Sequence, residues 1–232
     1  MADDTGRLDG TSSYEVKPVT KSNPNARLEC FCDGVFAIAL TLLIIDVKLP
    51  PVAIGSNAEF WLALRNIAPT IMAFTLSFVV IFITWVNHHS TMLLVNRSSA
   101  SFIFSNGLLL FTVVLIPFPT SLLGDHLFTS HSAPAVVLYN AVLALQAIAW
   151  IFLTRAAIAN GLTKNTTSDA AMRINNRNGY SAFVIYSALA ILAYRFPVTI
   201  ATITTMTWIF WLILGISQLG KARLEVSDSA RA

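Results

Sequence analysis

The chain has 232 residues, of which 55% are hydrophobic and only 12% are charged, and its mean hydropathy is +0.67. Soluble domains carry about 25% charged residues, so half that share leaves too little charge to coat a surface that faces water on every side. The composition therefore predicts an integral membrane protein. The formal net charge of +3 comes without an aromatic and basic patch, so it does not indicate nucleic-acid binding.

The chain begins with a polar segment of mixed charge over residues 1–26. It lacks the apolar core of a signal peptide, so it is predicted to be a disordered cytoplasmic tail. The two cysteines, Cys30 and Cys32, follow it. Two residues apart on a helix, they point about 200° apart and cannot bridge within the chain. No other Cys and no suitably spaced His completes a metal site with them, so no metal or other cofactor is expected.

The first apolar segment carries an aspartate, Asp33, near its start. Its uncharged run, residues 34–45, is too short to cross a bilayer, which takes about 17–25 residues. The segment spans only if it extends over residues 31–47, which places Asp33 near the inner edge of the membrane. Because a carboxylate that faces lipid costs several kcal/mol, Asp33 is predicted to be buried and partnered. The alternative is an interfacial residue that reaches water.

Five further runs are long and apolar enough to cross: residues 67–86, 102–123, 134–154, 178–194 and 196–220. With the first segment they predict an all-α integral membrane protein with six transmembrane helices in a domain over 27–220. Pro117 and Pro119 are predicted to mark the exit of the third helix. Residues 155–177 are predicted to be a basic loop, and 221–232 a cytoplasmic tail.

The distribution of basic residues predicts the orientation. All but three of the 15 Lys and Arg residues fall on the side of the N-terminus, the exceptions being Lys48, Arg65 and Arg195. This is the positive-inside pattern, and it appears only if the first segment crosses. Both termini are therefore predicted to be cytoplasmic in a multi-pass membrane protein.

The second predicted helix ends with the sequence WVNHH, at the depth of Asp33. Trp85 and His89 are four residues apart and share a face. An indole N–H, an imidazole and the Arg27 guanidinium can together satisfy a carboxylate. Arg27 and Asp33 lie about 120° apart on an ideal helix, so a link between them is expected to run between helices or subunits. Equally open is that His88 and His89 are interfacial residues among lipid headgroups.

Three motifs resemble the transmembrane protein 175 family of lysosomal and prokaryotic potassium channels: Arg27-x-x-x-Phe31-Cys32-Asp33 with GVFAIALTLL, then WVNHH, then PFPTSLLG. The resemblance implies that a chain with a single six-helix unit assembles as a homotetramer in the cell membrane, with four first helices around a central pore that passes potassium. The resemblance also implies a structural network of Arg27, Phe31, Asp33, Trp85 and His89. Cys32 replaces the serine of the family signature, and a thiol is a weaker hydrogen-bond partner than a hydroxyl.

Ile38, Leu42 and Ile45 form a stripe on the first helix, bordered by Thr41. Periodicity alone favours ordinary helix packing for such a stripe. The resemblance implies instead that Ile38 is the constriction, that Leu42 and Ile45 are stacked outward of it, and that Thr41 adds a hydroxyl layer. Potassium sheds water more readily than sodium, so a leak-like conductance with modest selectivity is expected. The Thr-Val-Gly-Tyr-Gly filter is absent from the sequence.

Two other functions compete with a channel. An intramembrane enzyme could pair Asp33 with His88 or His89, but the sequence shows neither a nucleophile beside a base nor an HExxH motif, so an enzyme is not expected. A proton-coupled secondary transporter could use the same acid and histidine as a relay. Such transporters usually show paired repeats and broken helices, which this sequence lacks.

Overall fold

The structure is a computed structural model that describes residues 23–49 and 55–229, with side chains up to residue 213. Within these ranges the regular structure is helical, which confirms the all-α prediction. The helices are α1 Ala26–Leu42, α2 Asn57–Asn66, α3 Ala68–Leu93, α4 Ala100–Leu115, α5 Pro117–His126, α6 Ser132–Ala159, α7 Thr166–Ala193 and α8 Pro197–Ser229. A 3-10 turn over Leu43–Asp46 continues α1.

Four helical segments among the described residues are long and apolar enough to cross a membrane: Ala26–Asp46, Ala68–Leu93, Ala100–His126 and Ser132–Ala159. A shorter apolar helix, Pro197–Ile213, begins α8. The multi-pass character is therefore confirmed, and the count of six crossings stays a prediction. Of the predicted tail, residues 1–26, only residues 23–26 are described. The last of these, Ala26, is already the first residue of α1.

One expectation about the segments between crossings is wrong, and another segment contains a helix that was not predicted. Residues 155–177 are not a loop, because α6 continues to Ala159 and α7 begins at Thr166. The Asn165 side chain caps α7 by accepting from the Ser168 N–H at 2.7 Å. The segment before α3 contains the short helix α2, which begins where the Ser56 hydroxyl accepts from the backbone N–H of the third helical residue. Both starts follow the usual preference for Ser or Asn at a helix N-cap. At the other end, α8 extends to residue 229, beyond the predicted boundary at 220.

The two prolines after α4 interrupt a helix without ending the span. Ile116 keeps helical dihedrals of −55° and −40°, and α5 continues from Pro117 to His126. Proline lacks the N–H that would donate one turn back, so hydrogen bonding breaks while the chain direction is kept. The predicted exit of the third helix at these prolines is therefore wrong: they lie inside the Ala100–His126 segment.

The helix α6 forms the centre of the protomer and is locked to its neighbours by buried polar pairs. The Thr204 hydroxyl of α8 donates to Asn140 Oδ1 at 2.9 Å. Ser77 of α3 lies 3.1 Å from the Tyr139 hydroxyl. A hydrogen bond inside the membrane leaves no polar group facing hydrocarbon, so these pairs fix how α3, α6 and α8 meet.

The first turn of α1 is anchored to the loop between α3 and α4. Asn25 is 1% exposed and donates through Nδ2 to the Val95 carbonyl at 3.4 Å, while its Oδ1 accepts from the Ser98 hydroxyl at 2.5 Å. The same loop pairs with the α6–α7 connection, where the Asn96 N–H donates to the Leu162 carbonyl at 2.8 Å. The start of α1 is thereby joined to the rest of the bundle.

Candidate pore-lining helix and its polar support

One face of α1 is buried against α3 and α4. Cys32, Phe36, Ala39 and Leu43 are at most 2% exposed. Their spacing of four, three and four residues is that of a single stripe along an α-helix. This stripe fixes the rotation of α1 about its axis, because any other rotation would bring different side chains into the bundle.

The other face of α1 is uncovered in the protomer. It carries Ile38, 58% exposed, Leu42, 39% exposed, and Ile45, 55% exposed. Thr41 is exposed beside them, and its hydroxyl donates to the Ile38 carbonyl at 2.9 Å. With its proton committed to the backbone, the Thr41 oxygen can offer only acceptor lone pairs to a ligand from outside, which suits a cation. All four residues of the predicted stripe thus lie on one open surface.

Asp33 meets α3 at the start of this surface. The Trp85 indole N–H donates to Asp33 Oδ1 at 2.8 Å, and the Trp85 and His89 rings stack with centroids 6.0 Å apart. Asp33 is therefore partnered, as expected, but the expectation that it is buried is wrong for a single chain, where it is exposed. Arg27 is also exposed, and among the described residues it makes no hydrogen bond or salt bridge to Asp33.

Behind α1 lies a second polar group that includes a residue the sequence reasoning did not identify. His88 is 1% exposed, and its Nε2 lies 2.8 Å from Asn106 Oδ1 on α4. The Cys32 Sγ lies 4.0 Å from the same oxygen. The Asn106 amide is oriented by its Nδ2, which donates to the Phe102 carbonyl at 3.0 Å. His88 is therefore a core residue, and the headgroup interpretation is wrong for it.

One signal in the sequence could have pointed to this group. Asn106 is the one amide in a run of apolar and hydroxyl residues over 102–123, and a buried amide within a membrane helix needs a partner on another helix. Its position on α4 faces the stripe of α1 that holds Cys32. Phe31, which the family signature contains, points away from both and is 63% exposed.

The fold and the site define a class: a multi-pass helical membrane protein whose first helix keeps one apolar, hydroxyl-bearing face uncovered. The family profile described as "Endosomal/lysosomal potassium channel TMEM175" matches residues 27–117. A potassium channel of Chamaesiphon minutus is 37% identical over 148 residues, which cover 64% of this chain and 68% of that protein. A potassium channel of Streptomyces collinus is 42% identical over 139 residues, which cover 57% and 66%.

A solved structure is also similar. The crystal structure of a lysosomal potassium-selective channel TMEM175 homolog from Chamaesiphon minutus superposes with a TM-score of 0.68 at 31% identity, over 81% of this chain and 97% of that one. The chain belongs to the TMEM175 family, which confirms the resemblance of its motifs. The family is one of ion channels, not of enzymes.

Proposed function

We propose that the chain is the subunit of a homotetrameric potassium channel of the cell membrane, in which four copies of α1 surround a central pore. The observation that carries this proposal is the division of α1 into a buried stripe and an uncovered face. The buried stripe of Cys32, Phe36, Ala39 and Leu43 presents the opposite side of the helix outward. Potassium as the permeant ion follows the names of the relatives from Chamaesiphon minutus and Streptomyces collinus.

The pore would be narrowest at Ile38, with Leu42 and Ile45 stacked beyond it and Thr41 beside them. The uncovered face carries no charge between Asp33 and Asp46, so an ion in this region meets side-chain hydrocarbon and hydroxyl oxygen. Passing a ring of four isoleucines requires partial dehydration, which costs potassium less than sodium. The channel is therefore expected to be leak-like and modestly selective, and an apolar ring of this kind can also close by dewetting.

The polar residues at the start of α1 would set the position of the pore-lining face. In one chain, Trp85 holds Asp33 at 2.8 Å and stacks on His89. Arg27 is exposed and has a guanidinium that can bind a carboxylate through two N–H groups. In the tetramer, Arg27 would reach the exposed Asp33 of the adjacent subunit and bury it. Phe31, which is 63% exposed in one chain, would join this network only in the tetramer, and Cys32 would support it from the buried group of His88 and Asn106.

The topology we propose has six crossings over residues 27–220, with both termini in the cytoplasm. Four crossings are the long apolar segments, and the other two are the second half of α7 and the apolar start of α8, Pro197–Ile213. The positive-inside distribution of Lys and Arg supports this orientation. In intact cells, a cysteine-reactive impermeant reagent should label Arg65→Cys in a Cys30→Ala background and should leave Asn160→Cys unlabelled.

Replacing Ile38 tests the pore assignment. In liposomes that contain the purified protein, Ile38→Asn is expected to raise potassium flux about tenfold and to lower the preference for potassium over sodium, because a polar ring lowers the cost of partial dehydration by about 1.4 kcal/mol. The matched control is Ile191→Asn, the same change at a position on α7 that is 76% exposed. Unchanged flux and selectivity in Ile38→Asn would reject Ile38 as the constriction.

The competing function is a proton-coupled secondary transporter, which no specific feature of the fold favours. The same liposomes separate the two functions. A channel passes potassium down its gradient without saturating at millimolar concentrations and without moving protons in a fixed ratio. Saturable exchange that requires an opposing pH gradient would reject the channel.

A further inference from the structure

A second site lies away from α1, in a cavity of about 120 Å³ enclosed by α3, α6, α7 and α8. Its walls are largely apolar and include Val80 of α3, Leu143 and Trp150 of α6, and Ala182 of α7. An engineered cavity of about 150 Å³ with apolar walls holds a benzene molecule, so this space is of the size of one ring. None of the residues of the proposed pore surface lines it.

Residues that line this space carry polar donors without partners. Gln146 is 7% exposed and Trp208 is 5% exposed, and neither Gln146 Nε2 nor Trp208 Nε1 has a hydrogen-bond partner among the described residues. The Trp211 indole nitrogen likewise has no hydrogen-bond partner among the described residues. A buried donor left without an acceptor costs free energy, and in a membrane lipid cannot supply the missing partner as water would.

The chemistry of the unpartnered groups restricts which ligands can bind. An indole nitrogen can only donate, and the unpartnered atom of Gln146 is likewise its NH₂ group, so the ligand must bring acceptors. Among the residues whose side chains the structure describes, no Asp, Glu, Lys or Arg lines the cavity, so none of them would balance a charged ligand. The rim at Asn87, Asn175 and Asn178 is partly exposed, which leaves a route from outside.

We infer that this cavity binds a neutral, ring-sized apolar molecule that carries a hydrogen-bond-accepting oxygen. The oxygen would accept from Trp208 Nε1 and Gln146 Nε2, and the apolar body would lie against Val80, Leu143 and Trp150. A hydrocarbon of equal shape without an acceptor would leave both donors unpaired, so it is expected to bind more weakly. Trp208 and Gln146 line this cavity and are not part of the proposed pore surface.

A pair of probes that differ only in the acceptor tests the inference. Acetophenone has a phenyl ring and a ketone oxygen, and α-methylstyrene has the same shape with a CH₂ group in place of that oxygen. The full-length purified protein is heated with each probe. Relative to α-methylstyrene, acetophenone is expected to raise the midpoint of unfolding by about 3 °C at ten times its dissociation constant, and to bind about tenfold more tightly.

Two variants assign that difference to the cavity. Trp208→Phe and Gln146→Leu remove a donor while keeping most of the side-chain volume, and each is expected to bring the two probes to within about threefold of each other. Two variants are used in case one of them fails to fold. A variant counts as folded if it elutes at the same volume as the wild-type oligomer. Trp61→Phe, on α2 and far along the chain from the cavity, is the control and keeps the tenfold difference.

Three results would overturn the inference. The first is an equal effect of both probes on the wild type, which would mean general partitioning into detergent. The second is a difference that survives in Trp208→Phe and Gln146→Leu. The third is a high-resolution map at saturating acetophenone in which only ordered water contacts Trp208 and Gln146, which would make the space a hydration cavity.

Discussion

The helices α1 and α6 have nearly the same hydropathy and opposite surroundings. The most apolar 18-residue window has a mean hydropathy of 2.2 in the Ala26–Asp46 segment and of 2.1 in the Ser132–Ala159 segment. Yet 22% of the most apolar window is buried within the protomer in the first, against 61% in the second. The helix α6 is surrounded by α4, α5, α7 and α8, whereas α1 touches the bundle along one stripe.

The difference shows that apolar character alone does not say what covers a membrane helix. Lipid tails and apolar side chains are equally good surroundings for leucine or isoleucine, so packing follows from small residues and polar pairs instead. The helix α6 has both, including many alanines and the buried Asn140. On its open face α1 has Thr41, whose hydroxyl bonds to its own backbone and to no other helix. That face is the one we propose to line the pore.

The largest effect on stability is expected from the buried stripe of α1. Phe36→Ala should lower the free energy of unfolding in mixed micelles by about 2–4 kcal/mol, because Phe36 is 1% exposed and the bundle cannot collapse fully into the space left. The matched control is Phe31→Ala, at a position of the same helix that is 63% exposed. An equal loss in both variants would mean that α1 is not divided into two faces as described.

The close approach of α7 to α6 gives the next largest effect. A Cβ on Gly179 would lie 3.0 Å from Ile151 Cγ1 and 3.6 Å from the Ile151 backbone nitrogen. Gly179→Val is therefore expected to cost about 1–3 kcal/mol by overpacking. Gly107→Val is the control, since a Cβ there has no neighbour within 4 Å. A neutral Gly179→Val would show that α6 is less tightly enclosed than the comparison with α1 requires.

Removing the link between α3 and the exposed start of α1 should have a smaller effect on stability. Trp85→Phe deletes the N–H that donates to Asp33, and we expect a loss of about 1 kcal/mol because the carboxylate keeps contact with water. Potassium flux in liposomes should change clearly although the loss of stability is small, because the contact orients the proposed pore face. Trp61→Phe, 71% exposed on α2, is the control. Unaltered flux in Trp85→Phe would separate this contact from conduction.

The smallest effect is expected at the position where the signature serine is absent. Cys32→Ser places a stronger donor 4 Å from an oxygen that already accepts from His88, so we expect a gain in stability of at most about 1 kcal/mol. Cys30→Ser, on the exposed side of α1, should change nothing. Unfolding titrations of both variants measure the difference. A loss of more than about 1 kcal/mol in Cys32→Ser would show that the thiol acts mainly by packing.

The helices that the sequence predicted well are those whose residues are uniformly apolar. The first half of α7 was missed because Thr166 to Arg177 is polar, although a capping asparagine at 165 and the pair Asp169 and Arg173, four residues apart and bonded at 2.8 Å, both favour a helix. The short helix α2 was missed because its ten residues are too few to cross a bilayer, although Ser56 followed three residues later by Glu59 is a capping-box pattern.

The candidate site was predictable along one helix and much less so between helices. The stripe of Ile38, Leu42 and Ile45 follows from periodicity, but periodicity does not distinguish an open face from a packed one. The pairing of Trp85 with Asp33 was within reach because both lie at one predicted depth. The bond between His88 and Asn106 was not, since it depends on how α3 and α4 rotate against each other, and that rotation is set by the whole bundle.

The anchor at Asn25 has a consequence for handling this protein. The side chain of Asn25 joins the base of α1 to the loop at Val95 and Ser98 before the chain leaves the described bundle. Because that junction lies within the bundle, it sets the height at which α1 begins, while the buried stripe of Cys32, Phe36, Ala39 and Leu43 sets its rotation. A graft that replaces Asn25 should therefore loosen the start of α1.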